Sequence, residues 1–306
     1  MDFLYVFEKM IELFLILIVG YIACRCKIFE KDGRTCVSRL ILNVTVPALI
    51  LSSAMNGDST IAASQILWIL FVATACFIII FAIAFLVPKI LKAPTSQIGV
   101  YRYILSFGNI GFIGYPVMQA IFGNNGVFYT SLFCVPFNIL VYSVGVMFLD
   151  SKGSSGKISY KIFLTPCMIS SAISIVIVLG HFQCPAIICD TCEMIADITT
   201  PAALMIIGSS LADMPIAEMF SNGKVYILAF FKLLFLPFAV YFAFHFFIKN
   251  ELLLGVLVVS SAMPVATNGT MLCLQYGADE KLMAQGTFIT TLLSVVTIPL
   301  VSMLLL

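Results

Sequence analysis

The stretch Ser106–Gly123, SFGNIGFIGYPVMQAIFG, is as apolar as a membrane span, yet it contains four glycines, a proline and an asparagine. Inside a helix, glycine costs about 1 kcal/mol relative to alanine, and proline costs about 3 kcal/mol. In hydrocarbon, an unwound backbone is tolerated only where protein or a water-filled cavity satisfies its N–H and C=O groups. The stretch therefore predicts a membrane helix with a break inside it.

The composition of the whole chain points to the same environment. Of the 306 residues, 61% are hydrophobic and only 10% are charged, whereas soluble domains have roughly 45–50% apolar and about 25% charged residues. The net charge of +1 provides no basic face for nucleic acid, so we expect no nucleic-acid partner. The sequence predicts an all-α polytopic protein that is integral to the lipid bilayer.

Ten runs of the chain have the length and hydropathy of a membrane span, which needs about 20 mostly apolar residues. Thirteen of the 16 lysines and arginines fall on one side of the resulting arrangement. Because positive charge accumulates in cytoplasmic loops, both termini are predicted on the non-cytoplasmic side of the cell (inner) membrane. The ten runs lie near residues 4–24, 36–55, 65–87, 97–121, 125–149, 159–180, 191–212, 225–248, 252–275 and 282–304.

The two halves of the chain match each other at a constant offset. NVTVPA at Asn43–Ala48 aligns with DITTPA at Asp197–Ala202, and FG at 122–123 aligns with YG at 276–277. Both pairs lie 154 positions apart. Since a repeat of five spans is odd-numbered, the second copy must enter the membrane inverted, which is typical of secondary transporters.

The repeat sets the predicted domain organisation. Residues 1–150 form the first five-helix repeat, residues 151–158 a cytoplasmic Gly/Ser-rich linker, and residues 159–306 the second, inverted repeat. The same offset leads from the opening stretch to Ser260–Gly277, SSAMPVATNGTMLCLQYG, which also contains helix-breaking residues. Helices 4 and 9 are therefore predicted to be broken and to cross each other.

Two such breaks at matched depth would expose half-helix N-termini, whose N–H groups and positive dipole ends favour an anion or a carboxylate. Pro116 suits the first turn of a resumed half-helix, and the two asparagines can cap helix ends or present an amide to a ligand. The alternative is that the glycines and prolines only permit close packing or a kink. The candidate substrate-binding residues are Asn109, Gly111, Gly114, Pro116, Pro264, Thr267 and Asn268.

Ionisable residues inside spans are expensive and are therefore candidates for coupling or gating. Asp197 occupies the repeat position of Asn43, and either could act as a polar gate. Asp197 could also carry a proton or cation, or it could be a structural acid bonded to Thr199, Thr200 or a neighbouring helix. Lys232 could supply positive charge to an anionic substrate, or it could snorkel or pair with an acid.

The chain has ten cysteines, most of which lie in apolar runs where cysteine behaves as a small hydrophobe. One local group, His181, Cys184, Cys189 and Cys192, has ligand types that suit zinc, but its spacing matches no standard finger. We therefore favour a disulfide or unpaired thiols over a metal site. No metal and no cofactor are predicted.

These motifs, in this order, resemble the auxin efflux carrier family, which includes plant auxin exporters and bacterial carriers for malonate and malate. Asn109–Pro116 is similar to the Asn-x4-Gly-x-Pro pattern of the fourth span in that family. The end of the chain, from Ala262 through Tyr276 to Pro299, is also similar, and Asp197 matches an aspartate of plant members. The resemblance covers essentially the whole chain.

The resemblance implies an elevator mechanism, in which helices 3–5 and 8–10 move against a scaffold of helices 1–2 and 6–7. It also implies that Asn109 contacts a substrate carboxylate, and a homodimer through the scaffold helices is compatible with it. The chain departs from plant members at Gly269, where they often have a second proline, and in its short central linker. Both departures favour a small organic acid such as malonate or malate over auxin.

Other classes of function fit the sequence less well. A membrane enzyme should show catalytic groups that converge at membrane depth, but the only two histidines, His181 and His245, lie near span ends. A substrate-sensing receptor built on a transporter fold is the main alternative, and a channel is another. The sequence leaves open the substrate, the direction of transport, and whether H⁺, Na⁺ or the membrane potential drives it.

Overall fold

The computed structural model describes residues 3–28, 31–56, 62–150, 164–182, 184–212 and 219–306, so the predicted linker 151–158 lies outside the described residues. Within these ranges every regular element of secondary structure is a helix, as the composition predicted. The α-helices are α1 Phe3–Arg25, α2 Lys31–Leu40, α3 Val46–Asn56, α4 Ala63–Ile90, α5 Ile98–Ser106, α6 Tyr115–Leu140, α7 Val146–Leu149, α8 Pro166–Leu179, α9 Ala186–Ala196, α10 Thr199–Ala212, α11 Gly223–Phe230, α12 Leu236–Phe244, α13 Glu251–Ser261, α14 Gly269–Tyr276 and α15 Glu280–Leu305.

Several helical stretches of the described residues are long and apolar enough to cross a membrane. Six reach this standard by length and composition, and two shorter apolar helices, α8 and α13, accompany them. The protein is therefore all-helical with several candidate spans, whereas the count of ten remains a prediction. The six are Gly33–Asn56, Ala63–Ile90, Ile110–Leu149, Ala186–Ala212, Gly223–Phe244 and Glu280–Leu305.

Single π-helical turns interrupt the helices at sites that proline marks in the sequence. Proline has no N–H, and its ring clashes with the carbonyl four residues earlier. We attribute the wider turn to this clash, since it moves that carbonyl away from the ring. Three of the four π turns in the described residues end two positions before a proline: Ile41–Thr45 before Pro47, Ile110–Gly114 before Pro116, and Phe231–Phe235 before Pro237.

The chain divides into two compact units. Unit 1 takes in residues 1–71, 111–135 and 160–214, and unit 2 takes in residues 72–110, 136–159 and 215–306. Each unit draws on both halves of the sequence, because a unit reflects packing whereas a repeat reflects sequence similarity. The predicted boundaries of the repeats therefore remain a prediction.

In unit 1, α1 and α10 form the most extensive helix pair. Two glycines allow this contact, because a Cβ at Gly208 would lie 1.9 Å from Leu17 O and a Cβ at Gly20 would lie 2.2 Å from Met205 O. Small residues let membrane helices approach backbone to backbone in this way. These two helices are consequently held together at a distance that no larger side chain would permit.

Helix α3 packs against α8 and α9 within the same unit. Ser174 donates its hydroxyl to Ile50 O at 3.2 Å, and the Asn56 amide lies 3.4 Å from a carboxylate oxygen of Glu193. Such hydrogen bonds between helices contribute modestly to stability in a membrane, about 0.6 kcal/mol on average. Close packing of apolar side chains therefore provides most of the cohesion.

Unit 2 has an aromatic core around the end of α5. The ring of Phe107 lies 5.1 Å from Tyr103, 6.1 Å from Phe81 and 6.0 Å from Phe137, as measured between centroids. Inclined and edge-to-face aromatic pairs each contribute about 0.5–1.5 kcal/mol beyond their burial. This cluster fixes the point at which α5 ends and the chain becomes extended.

Candidate functional site

Two short segments of unit 2 leave the helical conformation and run beside each other. Phe107–Asn109 follows α5, and Pro264–Ala266 comes shortly after α13. Gly108 and Val265 form an antiparallel bridge between them. We call these six residues the extended pair, and every one of them is buried.

Backbone hydrogen bonds join the two segments. Asn109 N donates to Pro264 O at 2.7 Å, and Ala266 N donates to Phe107 O at 3.2 Å. In a membrane protein an unsatisfied backbone group costs several kcal/mol. Each break therefore supplies the partners that the other break needs.

Glycine at position 108 is required by this close approach. A Cβ there would lie 2.9 Å from Met263 Cβ and 3.3 Å from Met263 O. The first of these distances is shorter than ordinary carbon–carbon contact, so a side chain would force the two segments apart. The glycine that weakens the helix in the sequence is the one that lets the segments pair.

A third element satisfies a further backbone donor of the pair. Val265 N donates to Thr290 Oγ1 at 3.1 Å, and the same hydroxyl donates to Gly286 O at 2.7 Å. Thr290 lies on α15 and is fully buried. Its hydroxyl acts as acceptor and donor at once, and thereby ties α15 to the extended pair.

The predicted residues Thr267 and Asn268 follow the extended pair directly. Asn268 is the N-cap residue of α14, but its side chain makes no capping hydrogen bond. Instead, the Tyr103 hydroxyl donates to Asn268 Oδ1 at 3.3 Å. Asn268 is exposed and Thr267 is partly buried, so both are accessible beside the buried pair.

Lys232 is buried in unit 2, with 1% of its surface exposed. Its ammonium donates to Leu105 O, in the last turn of α5, at 3.2 Å. Within the described part of the chain it makes no ion pair and no second hydrogen bond. It therefore neither snorkels nor pairs with an acid, and instead places its amine at the C-terminal end of α5, where the helix dipole favours a positive charge.

Three predicted residues of the first break belong to unit 1. Gly111 and Gly114 lie in the π turn Ile110–Gly114, and Pro116 is the second residue of α6. Helical turns thus resume at Ile110, one turn before the proline. Pro116 therefore lies in the first turn of α6, the position expected for it in a resumed half-helix, and a π turn precedes that helix.

Asn43 and Asp197, the candidate coupling or gating residues of unit 1, are both exposed. Asn43 donates its amide to Arg39 O at 2.8 Å, so its side chain is engaged with its own helix. Asp197 follows α9, and its carboxylate accepts no hydrogen bond from the described residues. The alternative of a structural acid bonded to Thr199, Thr200 or a neighbouring helix has no hydrogen bond from the described residues to support it, and the Thr200 hydroxyl lies 3.4 Å from Gln119 Oε1 instead.

His181, Cys184, Cys189 and Cys192, which the sequence suggested as zinc ligands, do not form a metal site. Cys184, Cys189 and Cys192 are free thiols. Among the residues that the structure describes, no three His, Cys, Asp or Glu side chains are placed to hold a metal ion. The thiols therefore fit the unpaired alternative.

Tyr103 and Thr290 were not identified from the sequence as residues of this site. For Thr290 the sequence of α15 does contain a pattern that could have indicated it. Thr287, Thr290, Thr291 and Ser294 recur at helical spacing, and all four are buried. Hydroxyls on one face of an apolar helix indicate a polar contact inside the protein. Their partner could not be named before the fold was known.

Comparison with known proteins agrees with this architecture. The sequence profile described as membrane transport protein matches residues 5–302. The chain belongs to this family. It is the auxin efflux carrier-like family of transporters that the motifs resembled, and the match covers both breaks.

Relatives of this transporter come from bacteria and archaea. An uncharacterized transporter of Methanocaldococcus jannaschii is 26% identical over 94% of both chains, and the uncharacterized transporter YfdV of Escherichia coli K12 is 23% identical over 95% of both. A Rhizobium meliloti protein described as "Putative malonate transporter" is 23% identical over 92% of this chain and 90% of its own.

Proposed function

We propose that this membrane transporter is a secondary transporter that carries a small organic anion, a carboxylate such as malonate, malate or an auxin-like acid. The observation that carries the proposal is the extended pair, in which two broken helices meet through Gly108 and Val265 in a buried part of unit 2. Non-helical backbone at membrane depth is characteristic of substrate sites in secondary transporters. The substrate site is assigned to this crossing of helices 4 and 9.

The chemistry beside the crossing suits a carboxylate. Helix α14 begins at Gly269, three residues after the extended pair ends at Ala266, so its positive dipole end lies beside this region. The amides of Asn109 and Asn268 supply further donors, and Lys232 carries a positive charge within the same unit. The printed description of the Rhizobium meliloti relative names a dicarboxylate of this class.

Gly111, Gly114 and Pro116 are proposed as substrate-binding residues from the sequence alone, because they follow Asn109 closely in the chain. They belong to unit 1, where glycines at the start of a resumed helix leave backbone N–H groups uncovered. Their contribution is through the backbone, so side-chain truncation does not test it.

The proposed architecture is ten spans in two inverted repeats. Pro47 and Pro201 occupy equivalent positions, and the helix before each of them is interrupted, by the π turn Ile41–Thr45 in one case and by the turn at residues 197–198 in the other. This shared irregularity supports the repeat. With ten spans, both termini lie on the non-cytoplasmic side of the cell membrane.

The proposed transport mechanism is of the elevator type, with helices 3–5 and 8–10 moving and helices 1–2 and 6–7 forming the scaffold. What supports it is that both segments of the extended pair belong to unit 2, a single compact unit, so the paired backbone can move as one body. Residues 111–135, which form parts of the predicted helices 4 and 5, belong to unit 1 instead. Asp197 and Asn43 are proposed to couple or gate the movement, H⁺ or Na⁺ is the proposed coupling ion, and the scaffold helices are proposed to form a homodimer.

Uptake into proteoliposomes tests the function. Purified protein is reconstituted, and uptake of labelled malonate, malate and indole acetate is followed under imposed pH, Na⁺ and voltage gradients. The variant Asn109→Asp keeps the size of the side chain but adds negative charge at the crossing, so carboxylate uptake should fall at least tenfold, as expected for about 1.4 kcal/mol of repulsion.

The matched control is Gln275→Glu, the same change of amide to carboxylate at an exposed position of α14. It should transport at the wild-type rate. If no carboxylate enters although the protein is folded, the proposed substrate class is wrong. If Asn109→Asp transports normally, the site lies elsewhere.

A further inference from the structure

We propose that Arg102 forms a binding site for the phosphate headgroup of an anionic phospholipid, with Phe85 and Phe148 as its aromatic walls. This inference does not depend on which substrate the transporter carries. It rests on the placement of one guanidinium in unit 2 and on the residues that surround it.

The guanidinium of Arg102 stacks on aromatic rings. Its Cζ lies 4.1 Å from the ring centroid of Phe85 on α4 and 5.9 Å from that of Phe148 on α7. The two rings contact each other edge to face, with centroids 5.6 Å apart. A cation within about 6 Å of an aromatic face is attracted to it, so the rings fix the plane of the guanidinium.

The position of α5 is what brings Arg102 to these rings. A Cβ at Gly99 would lie 1.8 Å from Phe148 O, so α5 and α7 touch backbone to backbone there. Arg102 lies three residues after Gly99, on the same face of the helix. Its side chain leans towards the N-terminal end of α5, which is the end that follows α4.

The aromatic contacts leave the hydrogen-bonding capacity of Arg102 unused. Within the described part of the chain, Arg102 makes no hydrogen bond and no ion pair, and its Nε atom is buried without a partner. A guanidinium has five N–H donors in a planar fork that matches phosphate oxygens. The two terminal nitrogens of Arg102 are not buried, so they are the donors that a phosphate can reach.

The surroundings of the site are those of a membrane boundary. Lys89 and Lys92 are exposed at the end of α4, and Lys224 donates its ammonium to Lys92 O at 3.5 Å. Exposed apolar side chains, Leu86 and Ile90, lie on the same part of α4. Basic residues beside apolar, lipid-exposed surface are the pattern that binds anionic headgroups between membrane helices.

A lipid explains this combination better than a soluble anion does. A free phosphate or carboxylate would use the arginine and the lysines, but it would leave Leu86 and Ile90 uncovered. The acyl chains of a phospholipid cover those side chains while the phosphate meets the guanidinium. The occupant is therefore expected to need both a phosphate and its chains.

Native mass spectrometry of the purified protein tests the site. Detergent-solubilised protein is titrated with dioleoyl phosphatidylglycerol, dioleoyl phosphatidylcholine or glycerol 3-phosphate, and the bound fraction is measured. Wild-type protein should retain phosphatidylglycerol and retain glycerol 3-phosphate far less. Arg102→Gln should weaken phosphatidylglycerol binding roughly ten- to hundredfold, because charge-assisted hydrogen bonds are lost.

Two further variants separate the site from general effects. Lys249→Gln removes one exposed charge that is not part of the group Lys89, Lys92 and Lys224. This variant should bind phosphatidylglycerol as the wild type does. Phe85→Leu keeps the charge of Arg102 but removes its stacking partner, so phosphatidylglycerol binding should weaken by several-fold. This variant tests the site independently if Arg102→Gln fails to fold. Unchanged phosphatidylglycerol binding in Arg102→Gln or in Phe85→Leu would overturn the proposal, as would equal binding of glycerol 3-phosphate.

Discussion

The ammonium nitrogen of Lys232 lies 3.2 Å from the carbonyl oxygen of Leu105, two residues before the chain of α5 becomes extended. Removing an ammonium from water costs several kcal/mol, and one hydrogen bond to a carbonyl returns only about 1.5–3 kcal/mol. The hydrogen bond therefore offsets only part of the cost of burying the ammonium. A residue that is costly to the fold is expected to serve transport.

Replacing Lys232 with methionine should separate stability from activity. Lys232→Met keeps an unbranched chain of similar length, removes the buried charge and leaves Leu105 O without its donor, which costs about 1–3 kcal/mol. The thermal unfolding midpoint should be unchanged or raised, while carboxylate uptake should fall at least tenfold. Lys249→Met, at an exposed position, is the control. A lowered midpoint together with normal uptake would show that the lysine is only structural.

A methyl group at position 108 should separate the extended pair. In Gly108→Ala the new Cβ would lie 2.9 Å from Met263 Cβ, and such overpacking costs about 1–3 kcal/mol. We expect a lower unfolding midpoint and strongly reduced uptake. Gly223→Ala, where nothing lies within 4 Å of the added Cβ, should be neutral or stabilising. Equal behaviour of the two variants would mean that the segments do not pair.

Two neighbouring threonines offer a sharper test of the hydrogen bonds. Thr290→Val keeps the shape of the side chain but leaves Val265 N without an acceptor, which should cost about 1–3 kcal/mol. Thr291→Val removes a buried hydroxyl that has no hydrogen-bond partner among the described residues, so it should be neutral or stabilising. Unfolding midpoints of both variants, measured in the same detergent, decide the point, and the opposite order would contradict the assigned bond.

Helix packing in unit 1 can be tested away from the proposed site. In Gly208→Ala the added Cβ would lie 1.9 Å from Leu17 O, so α1 and α10 must separate, at a cost of at least about 1–3 kcal/mol. Less folded protein should be recovered from membranes, as judged by gel filtration. Gly33→Ala on α2, with open space around the added Cβ, should be recovered at wild-type yield or better. Normal recovery of Gly208→Ala would exclude the close contact.

Much of the architecture was accessible from the sequence because the signals are local. Hydropathy is a property of each residue that adds up over a segment, so composition alone indicates a membrane protein. Glycine and proline act on their own backbone and on the preceding turn, and the non-helical segments after Ser106 and near Pro264 coincide with such residues. The π turns before Pro47 and Pro237 follow the same rule but were not predicted, because apolar patterning does not distinguish a widened turn from a regular one.

The hydrogen-bond partner of each buried polar side chain could not be predicted from the sequence. Nothing in residues 280–305 states that Thr290, and not Thr287 or Thr291, accepts a hydrogen bond from Val265, since all three are threonines on the same helix. The sequence left open whether Lys232 meets a substrate, an acid or the membrane surface, and in the structure it donates to a backbone carbonyl. Asn43 and Asp197 are polar residues inside apolar runs, but whether such a residue is buried depends on the helices that pack around it.

The sequence by itself determined that the protein is a helical membrane protein with helix-breaking residues at two matched places, because apolar composition and backbone preference are properties of each residue and its neighbours. Only the tertiary structure decided that Gly108 pairs with Val265, and that Thr290 and Lys232 satisfy backbone groups near that contact. A break creates unpaired N–H and C=O groups wherever it occurs. Which groups meet them depends on distances between residues far apart in the chain, and these are fixed only when the helices pack.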